Sequence, residues 1–596
     1  MKKKLICWCL CAMFLITGAG CADKGEKTYN EPALNGGLQW EEGLPLVRFP
    51  VAAEKVDYID TQSLNYDVQL LLASVKSIVN AVQPRIYTNE STLNYITGTQ
   101  AIPSVAEPLI NRNWLDRLGC DYEVYTDAFT LVEKYKSEFS EAVIYDPEIV
   151  DTMNLASTYA GIHGAVAVSP LIYARLVQIG IKPKIIEDYR GRFKTKLEVY
   201  EYLYNELWPD CTHRLITCIS NDFPGKVRDY AMASKSAIVW LDSLVAEEKR
   251  MMEKFFSDMI PGESAFLGWF PAGNEGPFIT LSSQYGVFAV PSDYCENFTF
   301  FSGWGEVTPA KLADIPELED KIYVAVVISD GDNHQYMQHR MLEWWETWKV
   351  RMQYGMMDTF PVAWSVSPSA SVTQAGLLNW YFTDSTQIAE GVTVRDLASF
   401  MTGPSGIGYN YPGFWKNKDA VKKIYAMTDK YCGKTGIAVV NNWNYGNDWT
   451  IGLTSQEKAN MYSEYKNVLA VYDQSEMTGT NADNGLLIGH LTLPYTFEGN
   501  DESEAVSYVS DAVDVFAGRG KKGAVFVKLQ FNPWDTLEAQ KVDMLETIQK
   551  LYRRVKHPET DRDRNTFADY GDIIEFVRID EMAMLERQAN GLSATR

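Results

Sequence analysis

Cysteine is scarce in this 596-residue chain: nine in all, and only Cys120, Cys211, Cys218, Cys295 and Cys432 beyond residue 21. An odd, widely spaced set without a C-x-x-C pair excludes a disulfide framework and a cysteine-held structural zinc. One bond, between Cys211 and Cys218, is the single pairing the spacing allows. Positive charge is short as well, with 55 Lys and Arg against 78 Asp and Glu and a net charge of −23. That sign excludes nucleic acid and an anionic membrane surface as partners. No G-x-S-x-G and no H-E-x-x-H occurs, which removes the serine-hydrolase elbow and the zincin helix. There is no internal repeat, no low-complexity tract and no apolar run long enough to remain in a bilayer as a helix.

What is present begins at the N-terminus. Lys2, Lys3 and Lys4, the apolar run Leu5 to Ile16, and Gly18-Ala19-Gly20-Cys21 read as a signal peptide over residues 1–20. Small residues before Cys21 match a bacterial lipoprotein signal, so Cys21 is expected to carry lipid and to anchor the protein in the bacterial cell envelope. Removing residues 1–20 leaves 52 basic against 78 acidic residues, a net charge of −26. Residues 21–49, polar with Gly and Pro at their start, suit a tether.

A chain of this length divides into about two to four domains. Residues 50–229 alternate helical and strand-like pieces, among them the helical Leu64 to Val82, the strand-like Ala142 to Tyr145, and a helix opened by Ser169-Pro170. Residues 230–316 change texture: a charged helix from Val239 to Phe256, then aromatic strands at Phe266–Phe270, Val287–Val290 and Phe298–Phe301, with Glu275, Asp293 and Asn297 in or beside their turns. From 317 to 596 strands and helices alternate most clearly. The strand candidates are Ile322–Ile328, Pro361–Val366, Ser399–Thr402, Ile437–Val440, Val468–Tyr472, Leu486–Leu493 and Ala524–Leu529, with Ile573–Val577 available as an eighth. The expected architecture is α/β and multidomain: N-terminal α/β domains, then a C-terminal (β/α) barrel-like domain.

The most informative stretch is Lys321 to Arg340. Ile322 to Ile328 is apolar and β-branched, the pattern of a strand buried on both faces. It stops at Ser329-Asp330-Gly331-Asp332-Asn333-His334, and a helical pattern follows with Met341, Trp344, Trp345 and Trp348 on one face. A buried strand that releases acids at its C-terminal end is where α/β sheets and barrels place their sites. Asp330 and Asp332, at i and i+2, point the same way if strand geometry persists. The structural alternative is a βα turn in which Asp caps the helix, although one cap does not require two acids, an amide and an imidazole. His334 and His339 are five apart and diverge on a helix, so a metal held by the acids and both histidines is not expected. Gly518 to Gly523 spells G-x-G-x-x-G but follows a helix and precedes a strand, so it is a helix stop; no cofactor is expected. Asn441, Asn442, Asp473, Gln530 and Asn532 end later strands and form one rim of a barrel, though singly each also suits a turn.

Gly403 to Pro412 packs Gly403, Gly406 and Gly408 beside Tyr409 and Tyr411. The glycines permit a tight backbone path, and the tyrosines offer flat, hydrogen-bonding surfaces. Gly406 to Pro412 matches G-x-G-Y-x-Y-P, and the chain resembles the GxGYxYP family of glycoside hydrolases over most of its length. The family's activity is inferred from association with sugar-processing proteins, and it supplies no catalytic residues to transfer. The resemblance implies a glycan substrate and a pair of carboxyl groups ~5–10 Å apart. Asp330 and Asp332 are the first pair, with Asp473, Glu275 and Asp293 in reserve. Asn333, His334, Asn441, Asn442, Gln530 and Asn532 are candidates to bind sugar hydroxyls, and Tyr409, Tyr411, Trp443 and Trp534 to stack on sugar faces. The alternatives are a glycan-binding surface lipoprotein without catalysis and a metal-dependent carbohydrate deacetylase.

Overall fold

The strand Ile322–Ile328 is buried at every one of its seven positions, as its unbroken apolar run requires, and it is the spine of the C-terminal half. The computed structural model describes residues 31–90, 113–271, 275–443, 460–473, 484–496, 499–534 and 543–596. The expected signal peptide and Cys21 lie outside them. Residues Pro32–Arg596 form one compact unit.

The principal strands are β1 (Lys55–Asp60), β2 (Ile86–Asn89), β3 (Asp121–Tyr125), β4 (Glu141–Ile144), β5 (Val166–Val168), β6 (Lys184–Asp188), β7 (Leu215–Cys218), β8 (Ala237–Val239), β9 (Ser264–Gly268) and β10 (Val287–Val290). They are followed by β11 (Ile322–Ile328), β12 (Val362–Val366), β13 (Ala398–Thr402), β14 (Val439–Asn442), β15 (Ala470–Asp473), β16 (Leu487–His490), β17 (Val525–Phe531) and β18 (Ile574–Phe576). Three parallel sheets build the first half, in the orders β2-β1-β3, β5-β4-β6 and β8-β7-β9-β10. Helices between them start where the sequence caps them. Asn65 accepts from Asp67 N ahead of Tyr66–Val82, and Ser169 accepts from Ile172 N ahead of Pro170–Gln178.

The second half holds two more parallel sheets. In the first, β11 pairs along its whole length with β17. Its other edge is shared: β18 takes Ile322–Val324, and β12 takes Val327–Ile328 before leading to β13. The second sheet is β14-β15-β16. Among the described residues the two meet at two seams without joining into one closed ladder. Asn441 N donates to Thr402 Oγ1 at 2.9 Å, and an isolated parallel bridge links Thr492 to Leu529. One face of both sheets, carrying Ala325, Val327, Ala363, Met401, Val439 and Leu487, packs on the C-terminal helix Ile579–Ala589. Lys528 also points to that face, ion-paired with Glu586 at 2.8 Å beside the Tyr472 ring. The opposite face packs under the helix Arg340–Gln353, whose Trp344, Trp345 and Trp348 are buried as their spacing predicts.

Some expectations change. Phe298–Phe301 is one helical turn rather than a strand: Asn297, at φ +57°, turns the chain so that its carbonyl accepts from Phe300 and Phe301. All four side chains are buried, so burial does not separate turn from strand; the bonds from Phe300 N and Phe301 N to the Asn297 carbonyl fix the turn. The helix expected from Val239 starts only at Ala246, because Ala237–Val239 is the edge strand of a parallel sheet. That sheet contains Leu215–Cys218 and so runs across the expected boundary at 229/230. Cys211 and Cys218 are both buried and are not joined by a disulfide.

A buried ion cluster ties the first half together. Lys76 Nζ lies 3.2 Å from Asp229 Oδ2 and 3.7 Å from Glu90 Oε1; Lys226 Nζ lies 3.0 Å from Glu296 Oε1 and 3.7 Å from Glu90 Oε2. Removing one partner from such a cluster strands charge away from water. Lys76→Met is expected to destabilise the protein by about 3–5 kcal/mol, read as a lower urea midpoint. Adding Asp229→Asn should recover much of that loss, and an unchanged midpoint in the single variant would refute the role of the cluster.

Candidate functional site

The chain leaves β11 at Ile328 and turns at once. Asp330 has φ +68°, a left-handed conformation that costs an L-residue other than glycine about 1 kcal/mol. The strand therefore ends before Asp330, and the i, i+2 alternation does not place Asp330 and Asp332. Close backbone packing does. Gly331 N donates to Ser365 Oγ at 2.8 Å, and a Cβ on Gly331 would fall within the Ser365 carbonyl. A Cβ on Gly403 would likewise overlap Asp332 N. The turns after β11 and β13 and the last residues of β12 are thus pressed backbone to backbone, which only glycine allows.

Below this knot runs a chain of side-chain hydrogen bonds. Asn441 Nδ2 donates to Gln530 Oε1 at 2.9 Å, Gln530 Nε2 to Ser329 Oγ at 3.0 Å, and Ser329 Oγ to Asp330 Oδ1 at 3.3 Å. Asn441 and Gln530 are fully buried, and among the described residues Asn441 Oδ1 has no protein partner. Asp330 is partly exposed beside the half-buried Trp534.

The opposite wall comes from the sheet β8-β7-β9-β10. Tyr409 forms an antiparallel bridge with Ala289 of β10, N–H to carbonyl at 2.8 Å in both directions. Its hydroxyl donates to Glu275 Oε1 at 2.7 Å and lies 3.0 Å from the Tyr411 hydroxyl. Glu275 is exposed at the first position of the helix Glu275–Gln284. Trp269, just past β9, lies nearly parallel to the Tyr409 ring, centroids 6.1 Å apart, and the Trp443 ring stands edge-on at 6.2 Å.

Three carboxyl groups therefore share one field. Burial first, and the Glu275 charge second, push Asp330 up to about 7, partly offset by Ser329 and Trp534. Burial, then Asp330, then Glu275 raise Asp332 well above the ordinary carboxylate range. Asp293, in the segment after β10, is also pushed up to about 7 by burial, against the pull of Gln335 and Lys226. It lies nearer the buried ion cluster than the three.

Other candidates stand elsewhere. Asn333 caps the helix His334–Gln338, its Oδ1 accepting from Gln335 N at 3.1 Å. His334 is fully buried, with Nε2 3.0 Å from Ser369 Oγ and Nδ1 3.0 Å from Thr373 Oγ1. Burial lowers its pKa to about 3, so the ring is neutral. Asn442 and Asp473 lie on the opposite face of their strands from Asn441. There Asp473 Oδ2 accepts from Asn442 Nδ2 at 2.6 Å and Tyr462 OH at 2.8 Å, fully buried. Asn532 shapes a turn, accepting from Trp534 N at 2.8 Å. Among the described residues no group of three or more His, Cys, Asp or Glu is arranged to hold a metal ion. Gly331, Ser329, Ser365 and Trp269 are not among the candidates read from sequence, and Gly403 is read there as a glycine of a tight loop rather than as a contact with the Asp330 turn. Glycines and small hydroxyls at strand ends are the signal for Gly331, Ser329 and Ser365.

Three sequence profiles match the chain: "GxGYxYP_N second domain" over residues 140–212, "GxGYxYP third domain" over 213–303, and "GxGYxYP putative glycoside hydrolase C-terminal domain" over 320–558. Glu275 thus belongs to the third domain and the Asp330 turn to the C-terminal one. No curated protein matches. A solved structure from Bacteroides thetaiotaomicron, described as "a putative hydrolase", shares the fold with a TM-score of 0.66 at 17% identity, covering 93% of this chain and 99% of that one. A "putative polysaccharide deacetylase" from Mycobacterium smegmatis aligns at 12% identity with a TM-score of 0.28, covering 49% of this chain and 98% of that one, a likeness too slight to bear on the fold.

The raised Asp330 sets a pH dependence with a definite sign. Between its unfolded value near 4 and its folded value of about 7 the native state holds a proton that the unfolded chain has released. Its contribution to stability is fully present below pH 4 and is lost as pH rises to about 7. Asp330→Asn does not titrate, so it should exceed wild type by about 4 kcal/mol at pH 8 and differ little at pH 4. Urea unfolding at the two pH values checks this; equal differences at both would remove the assignment.

Proposed function

The chain belongs to the GxGYxYP family, and we propose that it hydrolyses glycosidic bonds in a cleft between its third and C-terminal domains, with Asp330 and Glu275 as the two carboxyl groups. The observation that carries this reading is their coupling: an acid pushed up to about 7 and an exposed carboxylate from a neighbouring domain, in one field, beside half-buried indoles. Such a pair suits acid–base work on a glycosidic oxygen. Asp330, protonated near neutrality, gives its proton to the leaving oxygen as the bond to the anomeric carbon breaks. Glu275, on the other wall, takes the proton of the attacking water or attacks the anomeric carbon itself, according to the separation of the carboxyl groups. The indoles of Trp443 and Trp534 supply apolar faces for sugar rings. Asn441, Gln530 and Ser329 hold the Asp330 turn from beneath.

In this reading the strands β11 to β17 are a (β/α) barrel opened at its two seams, with the site at the strands' C-terminal ends, where such barrels place theirs. Export and lipidation at Cys21 would hold the protein at the bacterial envelope, where glycans are met outside the cytoplasm. The basic, apolar and small-residue order of residues 2–21 supports this.

Incubation of the purified protein with a panel of complex glycans, with and without chelator, tests the reading by mass spectrometry of products. Chelator-insensitive release of sugars is expected. Saturable binding without product would replace catalysis with glycan binding, and acetate release abolished by chelator would replace it with deacetylation. Asp330→Asn is expected to lower turnover by roughly 10²–10⁴-fold with no loss of folded protein. Wild-type turnover should fall as pH rises through about 7, where Asp330 gives up its proton. Full activity in the Asn variant would end the assignment of Asp330 as the acid.

A further inference from the structure

The two tyrosines of the signature do not face an open cleft: Tyr409 is 3% and Tyr411 4% exposed. They are too deeply buried to serve as platforms for a sugar ring. Each is instead fastened to the third domain. The main chain of Tyr409 pairs with Ala289, and Tyr411 N donates to Ser283 Oγ at 3.0 Å on the helix that begins with Glu275. At Gly408 the two domains press together, since a Cβ there would lie 2.6 Å from the Ala289 carbonyl oxygen. The Tyr409 hydroxyl spends its one hydrogen on Glu275 Oε1, so the hydrogen at its 3.0 Å contact with Tyr411 comes from Tyr411. The order of donation is fixed: Tyr411 to Tyr409 to Glu275.

We infer that Tyr409 and Tyr411 are positioning residues, whose hydroxyls in series hold the Glu275 carboxylate of one domain against the Asp330 turn of the other. The inference rests on the hydrolase reading for its consequence, but not for its geometry. Glu275 stands at the exposed start of a helix, and the Tyr409 hydroxyl that donates to its carboxylate comes from the other domain. A side chain with such freedom adopts many rotamers unless a second group selects one, and outer-shell groups of this kind are worth roughly 10–100-fold in function. The signature loop thus couples the packing of the two domains to assembly of the carboxyl pair.

Tyr409→Phe removes the hydroxyl and keeps the ring, its packing on Trp269 and the main-chain bridge. The expected result is a kcat lower by roughly 10–100-fold with KM within about threefold. The alkaline limb of the pH–rate profile should also move below about 7, because Glu275 no longer bears on Asp330. In a Glu275→Gln background the same change should add less than about twofold, since coupled residues are not additive. Tyr411→Phe should act in the same direction and more weakly. Crystal structures of wild type and Tyr409→Phe give a second readout that needs no substrate: the Glu275 carboxylate should leave its wild-type position. Unchanged kcat with an unmoved limb, an equal loss in the Glu275→Gln background, or an unmoved carboxylate would each overturn the inference. If the wild-type protein cleaves no glycan, the hydrolase reading falls while the crystallographic comparison still decides the positioning role.

Discussion

Like charges brought into a partly buried space repel one another, and the site of this protein is organised around one such confrontation. Asp330 and Asp332 come from a single turn and Glu275 from another domain, and each of the first two is harder to ionise, first because it is buried and then because of its neighbours. Left alone, three carboxyl groups in that setting would push the turn and the helix start apart. Covalent geometry and close packing prevent it. The Asp330 turn is locked by glycines that touch neighbouring backbone, and Glu275 is tethered through Tyr409. The structure thus stores unfavourable electrostatics at the place where a proton must be held near neutral pH and then released.

The surrounding architecture supplies the rigidity this requires. β11 is flanked along its entire length by β17, and both lie over a layer of small residues against the C-terminal helix. Below the site, the chain from Asn441 through Gln530 to Ser329 fixes polar atoms that would otherwise be costly to bury. On the other side, the tryptophans of Arg340–Gln353 fill the space between helix and sheet. Flexing the Asp330 turn would disturb one of these three layers. The carboxyl groups are therefore preorganised by the core rather than by their mutual contacts.

Much of the fold was legible because buried parallel strands write themselves as apolar runs and helices announce their caps. Every strand expected from 317 onward is present, with ends within about three residues. What escaped was the amphipathic and the short. Lys55–Asp60 and Asp121–Tyr125 mix charges with apolar residues, and Phe298–Phe301 is apolar without being extended. At the site, residue type pointed to Asp330, Trp443, Trp534, Asn441 and Gln530, which the structure gathers. Strand parity separates Asn441 from Asn442 and Asp473, and parity depends on which face is the core, a tertiary fact. His334 illustrates the same limit: a histidine beside two acids suggests chemistry, yet its ring is turned toward hydroxyls of the segment after β12. Direction, not identity, decided its place.

The signature itself carries the last step. Its letters are the most specific feature of the sequence, and a glycine-and-tyrosine loop invites the reading of a ligand surface. Each letter has a different physical cause here. Gly406 is glycine because its φ is +84°, and Gly408 because the third domain leaves no room for a side chain. Tyr409 and Tyr411 are tyrosines because a buried hydroxyl must reach Glu275, and Pro412 opens the short helix Pro412–Phe414. Taken together they describe a joint between domains rather than a binding face. A site assembled from two domains depends on that joint as much as on its acids, since displacing either wall by about 1 Å separates groups whose chemistry depends on their mutual field.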